Sequence, residues 1–235
     1  MLLETLRCEV CAANCDLERH RLVLMTWGNV SGIDRGKGLM VIKPSGVPYP
    51  ELTPEQMVVM DLSGRVVEGK LRPSSDAPTH LALYNAFKDI GGITHTHSRH
   101  ATMFAQAGKP IPCFGTTHAD HFRGEIPVTR ALRKPELEGN YEHSTGLVIL
   151  ERFSRLSPKE MPAVLVMHHG PFTWGASAAD SVVNSVALEE VARMALGTLS
   201  LNPRQEPIPN ALMDKHFLRK HGTGAYYGQA HGSHA

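Results

Sequence analysis

Two histidines stand two residues apart at the end of an apolar run, Gly91-Gly92-Ile93-Thr94-His95-Thr96-His97. On a strand alternate side chains share a face. His95 and His97 therefore project together, as two imidazoles must to hold one zinc ion. A third histidine follows another apolar run, in His168-His169-Gly170-Pro171. Consecutive strand residues face opposite ways, so only one of this pair can join a common site, and the local sequence does not choose between them. A carboxylate candidate lies in Arg72-Pro73-Ser74-Ser75-Asp76-Ala77-Pro78. Asp two residues before Pro is an ordinary helix N-cap. It is equally a metal ligand, and a carboxylate with two oxygens can serve partly in both roles.

Three short segments suit an oxyanion: Trp27-Gly28-Asn29-Val30-Ser31-Gly32, Lys43-Pro44-Ser45-Gly46 and the pair Ser74-Ser75. Glycine lets backbone N–H groups approach an anion, hydroxyls add donors, and Lys43 adds charge. None of the three has the spacing of a Walker or dinucleotide-binding loop. Gly115-Thr116-Thr117-His118-Ala119-Asp120-His121 reads as a polar loop able to supply acid–base groups. Near the C-terminus, Lys215-His216-Phe217-Leu218-Arg219-Lys220-His221 and Ala225-Tyr226-Tyr227-Gly228-Gln229 are basic and aromatic. On their own these read as a solvated helix and a frayed tail. The chain carries 14 histidines, as many as Phe, Tyr and Trp together, a large store of groups that bind metal or move protons near neutral pH.

The elements that must position these residues follow from periodicity. A helix is expected over 3–18, with Leu2, Leu6, Ala13 and Leu17 on one stripe. Cys8, Cys11 and Cys15 then lie on another side, as small apolar groups rather than a metal knuckle. Short apolar runs follow at 22–25, 39–42, 58–62 and 65–68, with a tight hairpin at Ser63-Gly64. A helix starts near Pro78, a buried strand ends at His95-Thr96-His97, and Ser98 caps the next helix. Strands are expected at 147–151 and 163–168, and helices over 178–199 and 209–221. The sum is an α/β fold: a single domain over 1–235, three-layer α/β/α, with a mixed, mostly antiparallel central sheet. Residues 230–235 are expected to form a disordered tail.

Hydrophobic residues make up 42% and charged residues 20% of 235, which excludes a disordered chain. A net charge of +1 gives no footprint for nucleic acid. No apolar run has the length of a membrane span. The N-terminal residues include Glu4, Arg7, Glu9 and Asp16, unlike a signal peptide, so a cytoplasmic location with reduced cysteines is expected.

Taken in order, TWGNVSGIDR, VIKPSGV, RPSSDAPTH, GGITHTHSRHAT, GTTHADHF, HGPFTWG and KHFLRKHG followed by AYYGQ resemble the class II sugar-phosphate aldolase/epimerase family along nearly the whole chain. The resemblance implies one divalent metal ion, usually zinc, held by Asp76, His95, His97 and His169; it thereby selects His169 over His168. It places a substrate phosphate on Gly28, Asn29, Ser45, Gly46, Ser74 and Ser75, with Lys43 adjacent. It assigns acid–base roles to Asp120 and Tyr227 and a supporting role to His216. It also implies a homotetramer whose active sites lie between subunits. Asp76 stands where the related aldolases carry Glu, which favours the epimerase branch. The implied activity is inversion of carbon 4 between L-ribulose 5-phosphate and D-xylulose 5-phosphate by retro-aldol cleavage and re-addition. The alternative is cleavage of a ketose 1-phosphate by an aldolase of L-fuculose-1-phosphate type. Residues 47–49, 152–159 and the tail beyond Gln229 depart from the family pattern, and none belongs to the implied site.

Overall fold

A computed structural model describes residues 1–226. Tyr227 and the tail at 230–235 lie outside the described residues. The chain opens with helix α1 (Glu4–Arg19), whose Val10, Ala13 and Leu17 are buried. Cys11 is buried on the same helix, while Cys8 is exposed. Burial and the neighbouring thiols push the Cys11 pKa up to about 11, so it is a neutral thiol at physiological pH.

Seven strands follow, interleaved with helices: β1 (Asn29–Asp34), β2 (Leu39–Ile42), β3 (Val58–Asp61), β4 (Val66–Glu68), β5 (Gly92–His95), β6 (Ala163–Leu165) and β7 (Pro171–Gly175). The longer helices are α2 (Ala77–Ala86), α3 (Arg99–Ala107), α6 (Tyr141–Arg152), α7 (Ala178–Leu201) and α8 (Asn210–His221), with short α4 (Thr116–Ala119) and α5 (Lys134–Glu138) between. The sheet order is β4-β3-β2-β1-β5-β7-β6. Every ladder in it is antiparallel. The sheet is therefore not mixed; parallel pairing is limited to an isolated bridge between Val128 and Leu165. Successive hairpins build the β1–β4 half, β5 pairs antiparallel with β1 at its other edge, and the β6–β7 hairpin adds to β5.

Alternation along the strands separates two cores. Met40, Ile42, Val58, Met60, Ile93, Phe172 and Trp174 join Leu81 and Tyr84 of α2 and Ile149 of α6 in one cluster. Val30, Val41 and Val59 join Val10 and Leu17 of α1 and Val182 of α7 in the other. This is the three-layer arrangement. Small residues let α7 lie close on the sheet. A Cβ on Gly92 would sit 2.3 Å from Ser177 O, and one on Gly175 2.6 Å from Asp180 Cβ. The buried hydroxyls at this contact are paired, Thr94 with Ser181 at 2.7 Å and Thr173 with Ser185 at 2.7 Å.

Several local expectations are corrected. Residues 147–151 lie inside α6, because the buried Thr145, Val148 and Ile149 recur at helical spacing against α2, and Asn140 caps the helix by accepting from His143 N. The run at 22–25 forms no strand, and the strand expected over 163–168 stops at Leu165. The segment from Trp27 to Gly32, read as an anion-binding loop, runs into a central strand, Asn29–Asp34; a Cβ on Gly32 would lie 2.9 Å from both Leu6 and Val10, so glycine here seats α1 on the sheet. Ser98 occupies the N-cap position of α3 without capping it. The Glu189 carboxylate does so instead, accepting from His100 N and Ala101 N at 2.9–3.0 Å.

Gly146 sets the approach of α6 to α2, since a Cβ there would fall 2.6 Å from Ala82 Cβ. Gly146→Val is expected to lower stability by about 1–3 kcal/mol through overpacking. Denaturant unfolding of the purified variant measures this, and an unchanged midpoint would show that the helices can part freely.

Candidate active site

β5 ends at His95, and His97 lies just past the strand. The two rings still converge, with His95 Nε2 3.2 Å from His97 Nε2. His169 completes the group: one nitrogen from each of the three rings lies within 4.8 Å of the others. The turn after β6 decides which of the two adjacent histidines enters. His168 adopts φ 65 and is exposed, which swings His169 inward. Gly170 lets this turn rest on the strand end, because a Cβ there would lie 2.7 Å from Thr96 O.

The hydrogen bonds behind the rings fix how they are presented. His95 Nδ1 donates to Pro171 O at 3.0 Å. A carbonyl only accepts, so the proton is on Nδ1 and the Nε2 lone pair faces the cluster. The ring also stacks on Phe172 with centroids 4.2 Å apart. Burial, then the neighbouring His95, pulls the His97 pKa down to about 4. Burial followed by His95 and His97 takes His169 down to about 3. His97 and His169 are therefore neutral at pH 7, as metal ligands must be. The bare Nε2 of His95 lies 3.2 Å from His97 Nε2, close enough to share a proton with it or a cation held by both. That spacing is close to the roughly 3.3 Å separating two nitrogens on a tetrahedral zinc with bonds of about 2.0–2.1 Å. The donor set thus fits the ion implied by the sequence resemblance.

Asp76 starts α2 but makes no side-chain capping bond. Its Oδ2 instead accepts from Asn29 Nδ2 at 2.7 Å. Burial works to raise its pKa, but His95, His80, the Asn29 bond and His169 together hold it below the usual carboxylate range. It lines the same cleft as the histidines, although its oxygens fall outside the three-imidazole group. One helical turn on, buried His80 bonds Ser31 Oγ through Nδ1 at 2.7 Å, and its Nε2 has no partner. Burial takes its pKa down to about 3, so it too is neutral.

The residues expected to bind phosphate line the same cleft. Gly28, Asn29, Lys43, Ser45, Gly46, Ser74 and Ser75 line one cleft of about 520 Å³ together with Asp76, His95, His97 and His169. Gly28, at φ 79, passes so near the metal-site strand that a Cβ would lie 2.8 Å from His95 O. The loops are sewn to each other by Ser45 N donating to Arg72 O and Ser74 N to Lys43 O, both at 2.9 Å. Lys43 is buried; its Nζ donates to Val47 O at 2.8 Å and sits 4.9 Å over the Tyr49 ring. Tyr49 OH in turn donates to Trp27 O and Gly28 O. Burial brings the Lys43 pKa down to about 8, which keeps it mainly cationic at neutral pH.

Asp120 and His216 are brought together, but away from this cleft. Asp120 ends α4, and its carboxylate accepts from His216 Nδ1 at 3.0 Å and from a forked Arg219 at 2.7–3.1 Å, with Lys220 Nζ at 3.6 Å. Neither residue lines the cleft of its own chain. Sequence reasoning missed Tyr141 and Glu142, which both line it. Tyr141 OH is 3.2 Å from His169 Nδ1. Nothing local in the sequence signals this, since the contact joins residues 28 apart through tertiary packing. Chemically, the cleft joins three imidazoles and a carboxylate to polar loops braced by a buried lysine, a pairing suited to an anionic substrate with a carbonyl to polarise.

Comparison with known proteins agrees with this architecture. Residues 8–196 match the family model described as class II aldolase and adducin N-terminal domain. The chain is 55% identical over 227 residues, 97% of its own length and 100% of the relative's, to L-ribulose-5-phosphate 4-epimerase UlaF of Salmonella paratyphi B. The same figures hold for the protein of that name from Salmonella typhi. Among solved structures, an L-fuculose 1-phosphate aldolase superposes with a TM-score of 0.76 at 26% identity, covering 90% of this chain and 94% of that one. YgbL of Klebsiella pneumoniae shares the fold with a TM-score of 0.74 at 24% identity, covering 92% and 99%. The chain belongs to the class II aldolase and adducin N-terminal domain family.

Proposed function

We propose that this chain is an L-ribulose-5-phosphate 4-epimerase, interconverting L-ribulose 5-phosphate and D-xylulose 5-phosphate. The observation that carries the reading is that one cleft is lined both by His95, His97, His169 and Asp76 and by the predicted phosphate loops. Full-length similarity to proteins of that name supports the choice of substrate. The proton on carbon 4 is not adjacent to the carbonyl, so direct removal is difficult. Breaking the bond between carbons 3 and 4 avoids this. The hydroxyl on carbon 4 gives up its proton and becomes an aldehyde, while the bonding electron pair is retained on the carbon 3 fragment as an enediolate. Rotation of the aldehyde and re-addition through its other face invert the centre.

In this scheme His95, His97, His169 and Asp76 hold one divalent ion, zinc in our reading. When bound, the ion supplies Lewis acidity to the substrate oxygens that gain negative charge. Ser45, Gly46, Ser74, Ser75, Gly28 and Asn29 grip the phosphate, so the aldehyde fragment turns without leaving. Lys43 draws the phosphate by charge from behind the loop it braces. Asp120 and Tyr227 exchange the hydroxyl proton, one on each face of the aldehyde, with His216 supporting Asp120. Because Asp120 does not line its own chain's cleft, the scheme has these groups supplied by a neighbouring copy within a homotetramer. Phosphorylated substrates fit a cytoplasmic site of action; no helix among the described residues is long and apolar enough to cross a membrane.

Incubation with L-ribulose 5-phosphate should yield D-xylulose 5-phosphate in a coupled assay. A chelator should abolish turnover and added zinc restore it. Free aldehyde accumulating from L-fuculose 1-phosphate instead would favour the aldolase reading. Asp120→Asn and Tyr227→Phe should each lower kcat by roughly 100-fold. Turnover within about threefold of wild type for both would refute their assignment.

Lys43 gives a pH signature. Its folded pKa is lowered to about 8, so its charge is complete well below that value and lost as pH rises through it. KM for the sugar phosphate should therefore climb several-fold between pH 7 and 9. Lys43→Met should start with the high KM and lose that dependence, as steady-state kinetics across pH would show.

A further inference from the structure

An imidazole that offers Nε2 to a metal ion carries its proton on Nδ1, and in a buried site that N–H needs an acceptor. For His95 the acceptor is Pro171 O. The residue in that place for His169 is Tyr141, its phenol oxygen 3.2 Å from Nδ1. The phenol is not a loose surface group that happens to touch the ring. Tyr141 begins α6, where Thr145 Oγ1 donates to its carbonyl at 3.0 Å. The next residue is tied to α2, since Thr79 Oγ1 donates to Glu142 O. Gly146 then seats α6 against α2 at Ala82 and Thr79. The helix that bears Asp76 at its start therefore also fixes the position of the Tyr141 ring.

We infer that Tyr141 is a positioning residue: its phenol oxygen accepts the Nδ1 proton of His169, fixing the tautomer and the aim of that ring toward the ion. A phenol oxygen that accepts from His169 still keeps its own O–H, and Tyr141 lines the cleft. The carbonyl behind His95 has no such second function. Tyr141 thus couples the third imidazole to the substrate space in a way the other backing group does not. The inference rests on the proposed metal site.

The test uses the full-length protein, stripped of metal and titrated with Zn2+ in competition with a chromophoric chelator, then with Co2+ for its visible spectrum. Tyr141→Phe keeps the ring and should melt at the wild-type temperature. It should bind Zn2+ about tenfold or more weakly, with displaced Co2+ bands. In the zinc-loaded wild type, the His169 Nδ1 proton should give a slowly exchanging NMR signal that the variant lacks. If the wild type binds about one ion but the variant matches it in affinity, spectrum and proton signal, the role given to Tyr141 is wrong while the metal site stands. Failure of the wild type to bind an ion overturns the metal-site reading itself, and the inference with it.

Discussion

The antiparallel pairing of β5 with β7 is the constraint on which the candidate site depends. It sets His95 opposite Phe172, so the imidazole stacks on that ring while its Nδ1 finds the carbonyl of Pro171. Thr96 N also donates to Pro171 O, at 3.3 Å, which carries the pairing past the formal end of the strand. His97 is thereby held beside His95, although regular strand geometry has already stopped. The same pairing draws in the turn from β6, where exposed His168 and compact Gly170 send His169 toward the other two. One ladder thus orients three side chains from two distant parts of the chain. It can do so because its back is packed tightly by α7 across glycine, serine and threonine contacts.

Burial is what makes these groups useful. A histidine in water is close to half protonated near its ordinary pKa of about 6.5 and competes poorly for a cation in that form. Here burial removes the cost-free option of being charged, and each neighbouring imidazole reinforces the effect. Asp76 goes the other way. Burial alone would neutralise it, yet Asn29 and the surrounding histidines keep it a carboxylate. The cleft therefore sets one carboxylate ligand candidate among imidazoles. Lys43 stays mostly cationic despite complete burial, with carbonyl oxygens around its Nζ. The cleft thus carries a carboxylate and a lysine together, as the substrate of the proposed reaction, with a phosphate and ionisable oxygens, would use.

What could be read from sequence divides by the range of the interaction that decides it. The pairing of His95 with His97 is set by a period of two and was legible. So were most helices, including the long α7, because helical periodicity is local. The choice between His168 and His169 depends on one positive φ and on Gly170 meeting Thr96, neither visible in local sequence; only the resemblance pointed to His169, the one that the turn brings beside His95 and His97. β1 was obscured because its glycine and polar residues look like a loop until α1 and α2 are packed on either face. Residues 147–151 misled in the opposite sense, their branched apolar run imitating a strand. Tyr141 was out of reach entirely, since only the docking of α6 on α2 brings it to His169.

The identity of Asp76 bears on why acid–base work should be done elsewhere. Its carboxylate is short, starts a helix, and is bound at one oxygen by Asn29. A group so pinned and kept ionised cannot easily reach out, take a proton and deliver it to another atom. A glutamate in the same place would have one more methylene and one more rotatable bond, and would have to leave Asn29 or bend to keep it. The aspartate thus trades mobility for a fixed negative charge beside the imidazoles. In the proposed reaction that restraint is useful, because a carboxylate free to protonate the carbon fragment would release both halves of the cleaved sugar. An epimerase must instead leave the enediolate unquenched until the aldehyde has turned. In the proposed reaction the proton traffic then belongs at the aldehyde oxygen, the role given to Asp120, which stands apart from its own chain's histidine cluster.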